Sequence, residues 1–373
     1  MIKVCHITTV HSNRYDVRIF EKECTSLAKA GYDVTLLVND ELPDEVKNNV
    51  KIISIGIRTR SRLDRITRVL KAVYMKALSI GADIYHLHDP ELLCAGTKLK
   101  RKGKKVIFDS HEFTAIQIKY KLYIPSIVRG ITSELYEKYE SKCLNKIDGM
   151  IQPCTYKGTD FFASVNIPKI VIGNYPNVDY LKKRERKNVD KNKACYIGGL
   201  TEIRGLFHMI KACYQAKKKL VLIGSINKHL RIKMEQMPEY ECVEYLGFLP
   251  HDIALEEAAK CAVGLSLLEP VAQYVDIDNL PTKVYEYMIM GMPVIISDFP
   301  YYSKVLEKYK FGLAVNPYDH WAVAEAILNI TDNEAMALKM GTEGRRAIYE
   351  NMNWENDSKR LIKFYEKLAQ GVK

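Results

Sequence analysis

The segment DNLPTKVYEYMIMGMPVIISD, residues 278–298, joins a turn, a helix start, a Gly-Met-Pro break and a short β-branched strand. Asp278 stands eight positions before a second acidic residue, Glu286, and Pro281 and Lys283 lie between them. A strand that follows an amphipathic helix after so short a break is typical of α/β domains. The segment therefore predicts an α/β fold, and the rest of the chain repeats its alternation.

The polar residues of this segment suit a phosphate and a sugar hydroxyl. A helix that begins near Thr282 offers N–H groups without partners in the helix, together with the positive end of its dipole. Lys283 adds a point charge, and Glu286, one turn further, can accept hydrogen bonds from a ribose diol. The alternative is a buried helix in which Glu286 pairs with Lys283, and the spacing alone does not separate the two.

Short apolar strands alternate with amphipathic helices almost throughout the chain. Strands that are continuously apolar favour parallel sheets covered on both faces. We therefore predict two tandem Rossmann-like, doubly wound α/β domains that face each other across a cleft. The candidate strands lie at 2–8, 33–38, 51–55, 83–88, 106–109, 150–153 and 170–172, and then at 194–197, 220–223, 243–246, 263–267 and 293–296.

The boundary between the two domains is predicted within residues 173–193. This stretch opens with the turn signal Asn-Tyr-Pro-Asn, and the charged tract after it has no periodicity. The domains then cover 1–173 and 174–354. A last amphipathic helix over 356–369 is expected to pack back on the first domain.

Composition gives broad limits on function. The chain has 373 residues, of which 47% are hydrophobic, and a formal net charge of +11. The excess of positive charge favours an anionic partner. Two basic runs, 58–76 and 98–105, are either solvated faces or a surface for anionic lipid. The nine cysteines are scattered singly, as expected for free thiols in a reducing compartment.

Several familiar signatures are absent from the sequence. It has no apolar run of the roughly 20 residues that span a bilayer, and its first residues read as a strand rather than a signal peptide. We therefore expect a cytoplasmic protein. There is no Walker-type loop, no Gly-x-Ser-x-Gly and no Cys/His cluster at metal spacing. The one D-x-D pattern, at 276–278, precedes a helix, and we assign no metal to it.

The turns after the strands of the second domain should form one ligand-binding rim, because ligands bind beyond the carboxyl ends of parallel strands. Gly198 and Gly199 let the backbone approach a ligand closely. Arg204 can grip a diphosphate with two hydrogen bonds, although a simple turn with a surface arginine remains an alternative. The next two turns contribute Ser225, Phe248 and Leu249.

In the first domain, two strands end in polar residues. His86, His88, Asp89 and Glu91 look like metal ligands, but Asp89 followed by proline is also a good helix start, and we prefer capping. His111 follows the next strand and is a candidate acid, base or polarising group, or a structural histidine.

The first loop of the chain offers three further polar residues, His11, Asp16 and Arg18. They either line the acceptor side of the cleft or, in the case of Asp16, cap the helix that follows.

Taken in order, these motifs resemble the GT-B-fold glycosyltransferases of family four, the retaining nucleotide-sugar enzymes. The resemblance covers nearly the whole chain, and Asp278 through Glu286 is similar to the E-x7-E segment of that family. The other segments that resemble the family are DVRIFEKECTSLAKAGYDVTLLV, DIYHLHDPELL, VIFDSHE, YIGGLTEIRG and the Gly-x-Pro-Val-Ile that follows the E-x7-E segment.

The resemblance implies an acceptor-binding first domain and a second domain that holds a nucleoside diphosphate sugar. Glu286 would bind the ribose, and His111 would contact the donor sugar or its developing positive charge. Arg204 and Lys283 would neutralise the leaving diphosphate, so that neither an enzyme nucleophile nor a metal is needed. Backbone N–H groups would assist them, in the stretch Leu280, Pro281 and Thr282.

The chain departs from the family pattern at three places. Asp278 stands where the first glutamate is usual, so its reach to the sugar is shorter. Gly199 and Arg204 stand where an arginine and a lysine are usual, and the Gly-Gly of the first loop is missing.

The function predicted from these residues is retaining transfer of a sugar from a UDP- or GDP-linked donor. The acceptor would be a lipid-linked glycan or a polysaccharide in cell-surface glycan assembly. No cofactor and no nucleic-acid partner are expected, and the basic first domain predicts peripheral contact with anionic membrane. The alternative is a nucleotide-sugar 2-epimerase on the same fold, and a basic nucleic-acid-binding protein is a remote one.

Overall fold

The structure is a computed structural model that describes residues 1–10, 13–121, 123–178, 186 and 188–370. The chain divides into two compact units. Unit 1 comprises Met1–Asn174 and Asn356–Lys373, and unit 2 comprises Tyr175–Glu355. Each unit contains one sheet built almost entirely from parallel strands, which confirms the predicted α/β fold class.

The sheet of unit 1 has eight strands in the order β3-β4-β2-β1-β5-β6-β7-β8. Every neighbouring pair is parallel except β3 and β4. The strands are β1 (Lys3–Ile7), β2 (Asp33–Val38), β3 (Glu45–Lys47), β4 (Val50–Ser54), β5 (Ile84–Leu87), β6 (Lys105–Asp109), β7 (Gly149–Gln152) and β8 (Lys169–Val171).

Helices connect these strands. The first begins as a π-helical segment, Val17–Cys24, and continues as α1 (Thr25–Lys29). A second π-helical segment, Arg65–Val69, joins α2 to α3. The others are α2 (Arg62–Asp64), α3 (Leu70–Ile80), a 3₁₀ turn (Pro90–Leu92), α4 (Leu93–Arg101), α5 (Thr114–Tyr120) and α6 (Ser126–Leu144).

The sheet of unit 2 has six parallel strands in the order β11-β10-β9-β12-β13-β14. They are β9 (Asp190–Ile197), β10 (Lys219–Ile223), β11 (Val243–Gly247), β12 (Cys261–Ser266), β13 (Val294–Ser297) and β14 (Gly312–Val315). The helices are α7 (Leu206–Gln215), α8 (Lys228–Glu235), α9 (His251–Ala259), α10 (Ala272–Val275), α11 (Thr282–Ile289), α12 (Pro300–Tyr309), α13 (His320–Thr331) and α14 (Glu334–Glu350), with 3₁₀ turns at Glu202–Arg204 and Pro238–Cys242.

All twelve predicted strands are present, and two observed strands were not predicted. Strand β3 has three residues and is mostly exposed, so it carries no apolar signal. It pairs with β4 through a tight turn in which Asn48 and Asn49 both have positive φ, of 51° and 60°. Strand β14 opens with Gly312, where a Cβ atom would collide with the Val294 carbonyl. Residues 311–315, FGLAV, form a short apolar run that the prediction did not include.

The last helix, α15 (Trp354–Ala369), supplies core residues to unit 1 from Asn356 onward. Leu361 and Tyr365 are fully buried, and Phe364 and Leu368 nearly so. Phe364 packs against Gly149 of β7, where a Cβ atom would lie 2.6 Å from its ring. Burial of such side chains contributes about 1.5–3 kcal/mol each, so this helix is a large part of the stability of the unit.

Candidate active site

Helix α11 carries Lys283 and Glu286 and is fixed against the sheet of unit 2 by its tyrosines. Tyr287 is fully buried, and its ring covers Gly264 of β12, where a Cβ atom would collide with it. The Tyr287 hydroxyl accepts a hydrogen bond of 2.9 Å from the N–H of Ile197, the last residue of β9. These contacts hold the first turns of α11 beside the carboxyl end of β9.

The glycine turn after β9 brings backbone close to two cations. Gly198 has a φ of 131°, and a Cβ atom there would lie 3.3 Å from Lys283 Cε. A Cβ atom on Gly199 would lie 2.8 Å from Arg204 Nη1, which donates a hydrogen bond of 3.3 Å to the Gly199 carbonyl. The turn therefore places a guanidinium and an ammonium group beside the same two residues, and any side chain there would crowd them.

The charge on these two cations is not cancelled by a carboxylate. Neither Arg204 nor Lys283 forms an ion pair within the described part of the chain. Lys283 Nζ lies 4.6 Å from the centre of the Tyr196 ring. Burial, and after it the nearby Arg204, lowers the pKa of Lys283 to about 8, against a smaller opposite effect of Glu286. A bound anion would relieve the repulsion between the two cations.

Glu286 pairs with a histidine rather than with Lys283. Its Oε1 lies 2.8 Å from Nε2 of His251, the first residue of α9. The interpretation in which Glu286 and Lys283 pair is therefore wrong. Sequence reasoning missed His251, although it begins the helix that follows the turn with Phe248 and Leu249, which the rim prediction included.

The other rim residues follow neighbouring strands. The sheet order places the ends of β11, β10, β9 and β12 side by side. Ser225 follows β10 and is exposed, and its carbonyl accepts a hydrogen bond of 2.9 Å from the N–H of Leu200. Phe248, after β11, is 79% exposed, and Leu249 packs partly on the core of unit 2. An exposed aromatic ring at such a rim suits stacking on a nucleobase.

The predicted trio of amide donors before α11 needs correction. The N–H of Leu280 already donates to the Tyr285 hydroxyl at 3.2 Å, and Pro281 has no N–H to give. Thr282 is therefore the one member of the trio that can present an amide to a phosphate. Pro281 also provides no side-chain cap for α11, which leaves the first amides of the helix to other partners. Asp278 lies on the partly exposed loop before this turn.

His111, the candidate from the first domain, lies in unit 1 within a network of polar groups. Its Nε2 is 3.1 Å from Asp109 Oδ2 and 3.1 Å from His88 Nδ1. Arg18 donates two hydrogen bonds to Asp109, of 2.9 and 3.0 Å. Burial acts to raise the pKa of Asp109, but Arg18 and His111 outweigh it and hold that pKa well below its usual range. A carboxylate thus orients His111.

The first loop of the chain is structural where it is described. Arg18 is buried against Asp109, so it does not line an acceptor surface. Asp16 Oδ1 accepts hydrogen bonds of 2.9 Å from the N–H groups of Arg18 and Ile19, which confirms the capping alternative. His11 lies outside the described residues.

Asp89 occupies the N-cap position of the 3₁₀ turn Pro90–Leu92, as predicted, but its side chain makes no capping hydrogen bond. Its Oδ2 instead accepts hydrogen bonds from the hydroxyls of Thr8 and Thr9, at 3.0 and 3.1 Å, and from backbone N–H groups of the same loop. The predicted helix start at Asp89 and Pro90 is therefore confirmed, but the capping hydrogen bond from the Asp89 side chain is not. Glu91 also forms an ion pair with Arg65, at 2.5 Å. It is therefore not available as a metal ligand beside His86 and His88.

Family models match both units. Residues 177–347 match the model for glycosyl transferases group 1, and residues 18–172 match the model for glycosyltransferase family 4. The chain belongs to the group 1 glycosyltransferases of the GT-B fold. The glycine turn, Arg204, Lys283 and Glu286 all lie within the part that matches the group 1 model.

Two curated proteins resemble this glycosyltransferase over part of their length. One is the amylovoran biosynthesis glycosyltransferase AmsK of Erwinia amylovora, 23% identical over 46% of this chain and 44% of its own length. The other is the putative teichuronic acid biosynthesis glycosyltransferase TuaC of Bacillus subtilis (strain 168), 24% identical over 54% of this chain and 46% of its own length. The chain thus matches less than half of each relative.

Solved structures match this glycosyltransferase over nearly its whole length. A sucrose-phosphate synthase from Thermosynechococcus elongatus has a TM-score of 0.78 at 17% identity, covering 99% of both chains. Anabaena Alr3699/HepE, solved in complex with UDP and glucose, has a TM-score of 0.68 at 12% identity, covering 98% of this chain and 100% of its own. At these identities the likeness establishes the GT-B fold.

Proposed function

We propose that this glycosyltransferase moves a sugar from a UDP- or GDP-linked donor to a lipid-linked or polysaccharide acceptor in the assembly of a cell-surface glycan. The arrangement that carries the proposal is the pair of uncompensated cations, Arg204 and Lys283, at the glycine turn after β9. Two fixed positive charges beside exposed backbone suit a diphosphate. The names of the curated relatives, both from glycan biosynthesis, support the class of product.

In the proposed reaction the bond between the sugar anomeric carbon and the diphosphate oxygen breaks. The acceptor hydroxyl forms the new bond on the same face, and its proton passes to the leaving phosphate. Arg204 and Lys283 stabilise the charge that develops on the diphosphate, a task that requires no metal ion. Glu286 accepts hydrogen bonds from the ribose. His111 contacts the donor sugar, and Asp278 reaches toward it from the loop before α11.

A panel of nucleoside diphosphates and their sugars tests the donor site through thermal stability. A ligand at about a hundred times its dissociation constant adds about 2.7 kcal/mol to the free energy of unfolding. We expect a rise in Tm with one base, unchanged by EDTA. No rise with any nucleotide would count against the site, and a rise that EDTA abolishes would show that the donor binds with a metal.

The pKa of Lys283 predicts an alkaline limit to activity. This lysine is charged below about pH 8 and neutral above it. With the donor that the panel identifies, kcat/KM should fall by up to about tenfold for each pH unit above pH 8. We choose kcat/KM because its pH dependence reports the ionisation of groups in the free enzyme. Lys283→Arg, which stays charged, should move this fall in activity to higher pH, whereas Lys304→Arg, at an exposed position of α12, should not. A flat profile in the wild type would exclude the role of Lys283.

A surface of unit 1 supports a membrane-bound acceptor. Ile127, Ile131 and Leu135 recur every four residues on α6 and are 89%, 62% and 62% exposed. Tyr123, just before this helix, contacts the guanidinium of Arg62 at 4.0 Å, and Leu63 is also exposed. Apolar side chains beside basic ones suit the interface of an anionic bilayer. No described helix is long and apolar enough to cross a membrane.

Vesicle binding tests this surface. Replacing Ile127, Ile131 and Leu135 together with serine should weaken binding to vesicles that contain phosphatidylglycerol by about tenfold or more, because three apolar side chains no longer insert. Leu338→Ser, at an exposed leucine of α14 in unit 2, is the matched control and should bind normally. Equal binding of the triple variant and the control would remove this face from the proposal.

A further inference from the structure

Four fully buried side chains converge in the core of unit 1. They are His6, Glu23, His86 and His88, and each is at most 2% exposed. Glu23 Oε2 lies 4.0 Å from His6 Nδ1, 3.9 Å from His86 Nδ1 and 4.0 Å from His88 Nε2. His6 Nδ1 and His88 Nε2 are 2.8 Å apart. One carboxylate oxygen is thus nearly equidistant from three imidazoles.

The convergence follows from the sheet. Strands β1 and β5 are parallel neighbours, and His6 lies directly opposite His86 in their register. His88 lies two residues beyond His86, so it points to the same face of the sheet. Glu23 comes from the π-helical segment that packs on this face. Three elements of the fold therefore meet at these four residues.

The cluster has polar atoms that the described protein leaves unsatisfied. Neither carboxylate oxygen of Glu23 accepts a hydrogen bond among the described residues, and Nε2 of His86 is likewise unsatisfied. Arg18 lies 3.2 Å from Glu23 Oε1, but it also binds Asp109. One guanidinium therefore faces two buried carboxylates. A buried carboxylate that is not fully compensated is costly, and burial accordingly raises the pKa of Glu23 well above its usual range. A further cation beside Glu23 would remove the same cost.

We propose that His6, Glu23, His86 and His88 bind one divalent transition-metal ion of the zinc type. Three imidazoles and one carboxylate are a ligand set that zinc accepts in four-coordinate sites. Bonds of about 2.0–2.1 Å in a tetrahedron place neighbouring donor atoms about 3.3 Å apart. The four candidate ligand atoms all lie within 4.8 Å of one another, and the closest pair is 2.8 Å apart. Side-chain shifts of roughly an ångström would therefore complete the site.

The surroundings of the cluster fit the same proposal. Histidines that bind a metal usually present their other ring nitrogen to a hydrogen-bond partner. His88 Nδ1 lies 3.5 Å from Asp109 Oδ2, and His6 Nε2 lies 3.4 Å from the hydroxyl of Tyr365. His86 Nδ1 lies 2.7 Å from the same hydroxyl, so this contact must give way where Nδ1 binds the ion. The ion would join β1, β5 and the first helix. It would also fix His88, which contacts His111. Its role is structural and separate from the diphosphate chemistry proposed for unit 2.

Metal content of the full-length protein tests the proposal. The protein is prepared without a polyhistidine tag from cells grown with zinc, and its metals are measured by plasma mass spectrometry. We expect about one zinc ion per chain, because a buried site of this kind holds its ion through purification. Glu23→Gln and His86→Gln should lose it. His229→Gln, at an exposed histidine of α8, should keep it.

A second measurement keeps the proposal testable if the core variants do not fold. Wild-type protein is stripped of metal and refilled with Co²⁺, whose tetrahedral complexes absorb strongly in the visible range. Such a spectrum, together with a rise in Tm on adding Zn²⁺, would support the site. Wild-type protein that contains no metal, gains no Tm with Zn²⁺ and gives no tetrahedral cobalt spectrum would overturn it. None of these readouts depends on sugar transfer, so they stand apart from the nucleotide panel.

Discussion

Glu286→Ala should abolish measurable binding of the nucleotide donor while leaving the fold intact. In the proposed site this carboxylate accepts two hydrogen bonds from the ribose, each worth about 1.5–3 kcal/mol because the acceptor is charged. Their loss corresponds to a fall in affinity of at least about 100-fold. The measurement is isothermal titration with the nucleoside diphosphate that raises Tm in the panel.

Two variants make this result specific. Glu286→Gln keeps the size of the side chain and the contact with α9, but it weakens acceptance of both hydroxyls, so its affinity should fall between those of the wild type and Glu286→Ala. Glu307→Ala, on the exposed face of α12, removes a carboxylate from the same unit and should bind normally. An unchanged affinity in Glu286→Ala would exclude this residue from the ribose site.

Lys283→Met should lower turnover more than it lowers donor affinity. The ammonium group stabilises charge that is greatest as the diphosphate leaves, and loss of one such preorganised group typically costs about 10²–10³ in kcat. We expect kcat to fall by about that factor and donor affinity to fall by less than about tenfold. Arg204→Met should behave in the same way, because both cations adjoin the glycine turn.

The comparison with an exposed lysine separates local from general charge effects. Lys304→Met on α12 changes the net charge of unit 2 by the same amount, and its kinetics should match those of the wild type. If Lys283→Met loses affinity while its turnover is preserved, the lysine binds the ground state and does not stabilise the transition state.

Much of the fold was predictable because its signal is local. Each buried strand is a short apolar run between turn residues, and the helices show their own periodicity. Strand β3 was not predicted because a mostly exposed edge strand of three residues gives no apolar pattern. The adjacent Asn48 and Asn49 did indicate a turn. Gly312, the first residue of β14, makes a close backbone contact with Val294 that no periodic pattern in the sequence reveals.

The residues of the candidate site could be predicted from the sequence, but the contacts that they make with one another could not. The sequence indicated Arg204, Lys283 and Glu286, since each lies at a turn after a strand or at the start of a helix. It could not show that His251, which is 35 positions away in the chain, is the partner of Glu286. Nor could it show that the Leu280 amide is already occupied, because both contacts depend on how α11 packs on the sheet.

The placement of the last helix has a consequence for how the protein is made. Unit 1 begins at the first residue, yet Tyr365 and Phe364 belong to its core. During synthesis the ribosome delivers the whole of unit 2 before these side chains emerge. Domains generally fold in the order of their synthesis, but here the second unit can close first. Unit 1 cannot complete its core until residues 356–369 have been made, and the face of Gly149 stays uncovered until then.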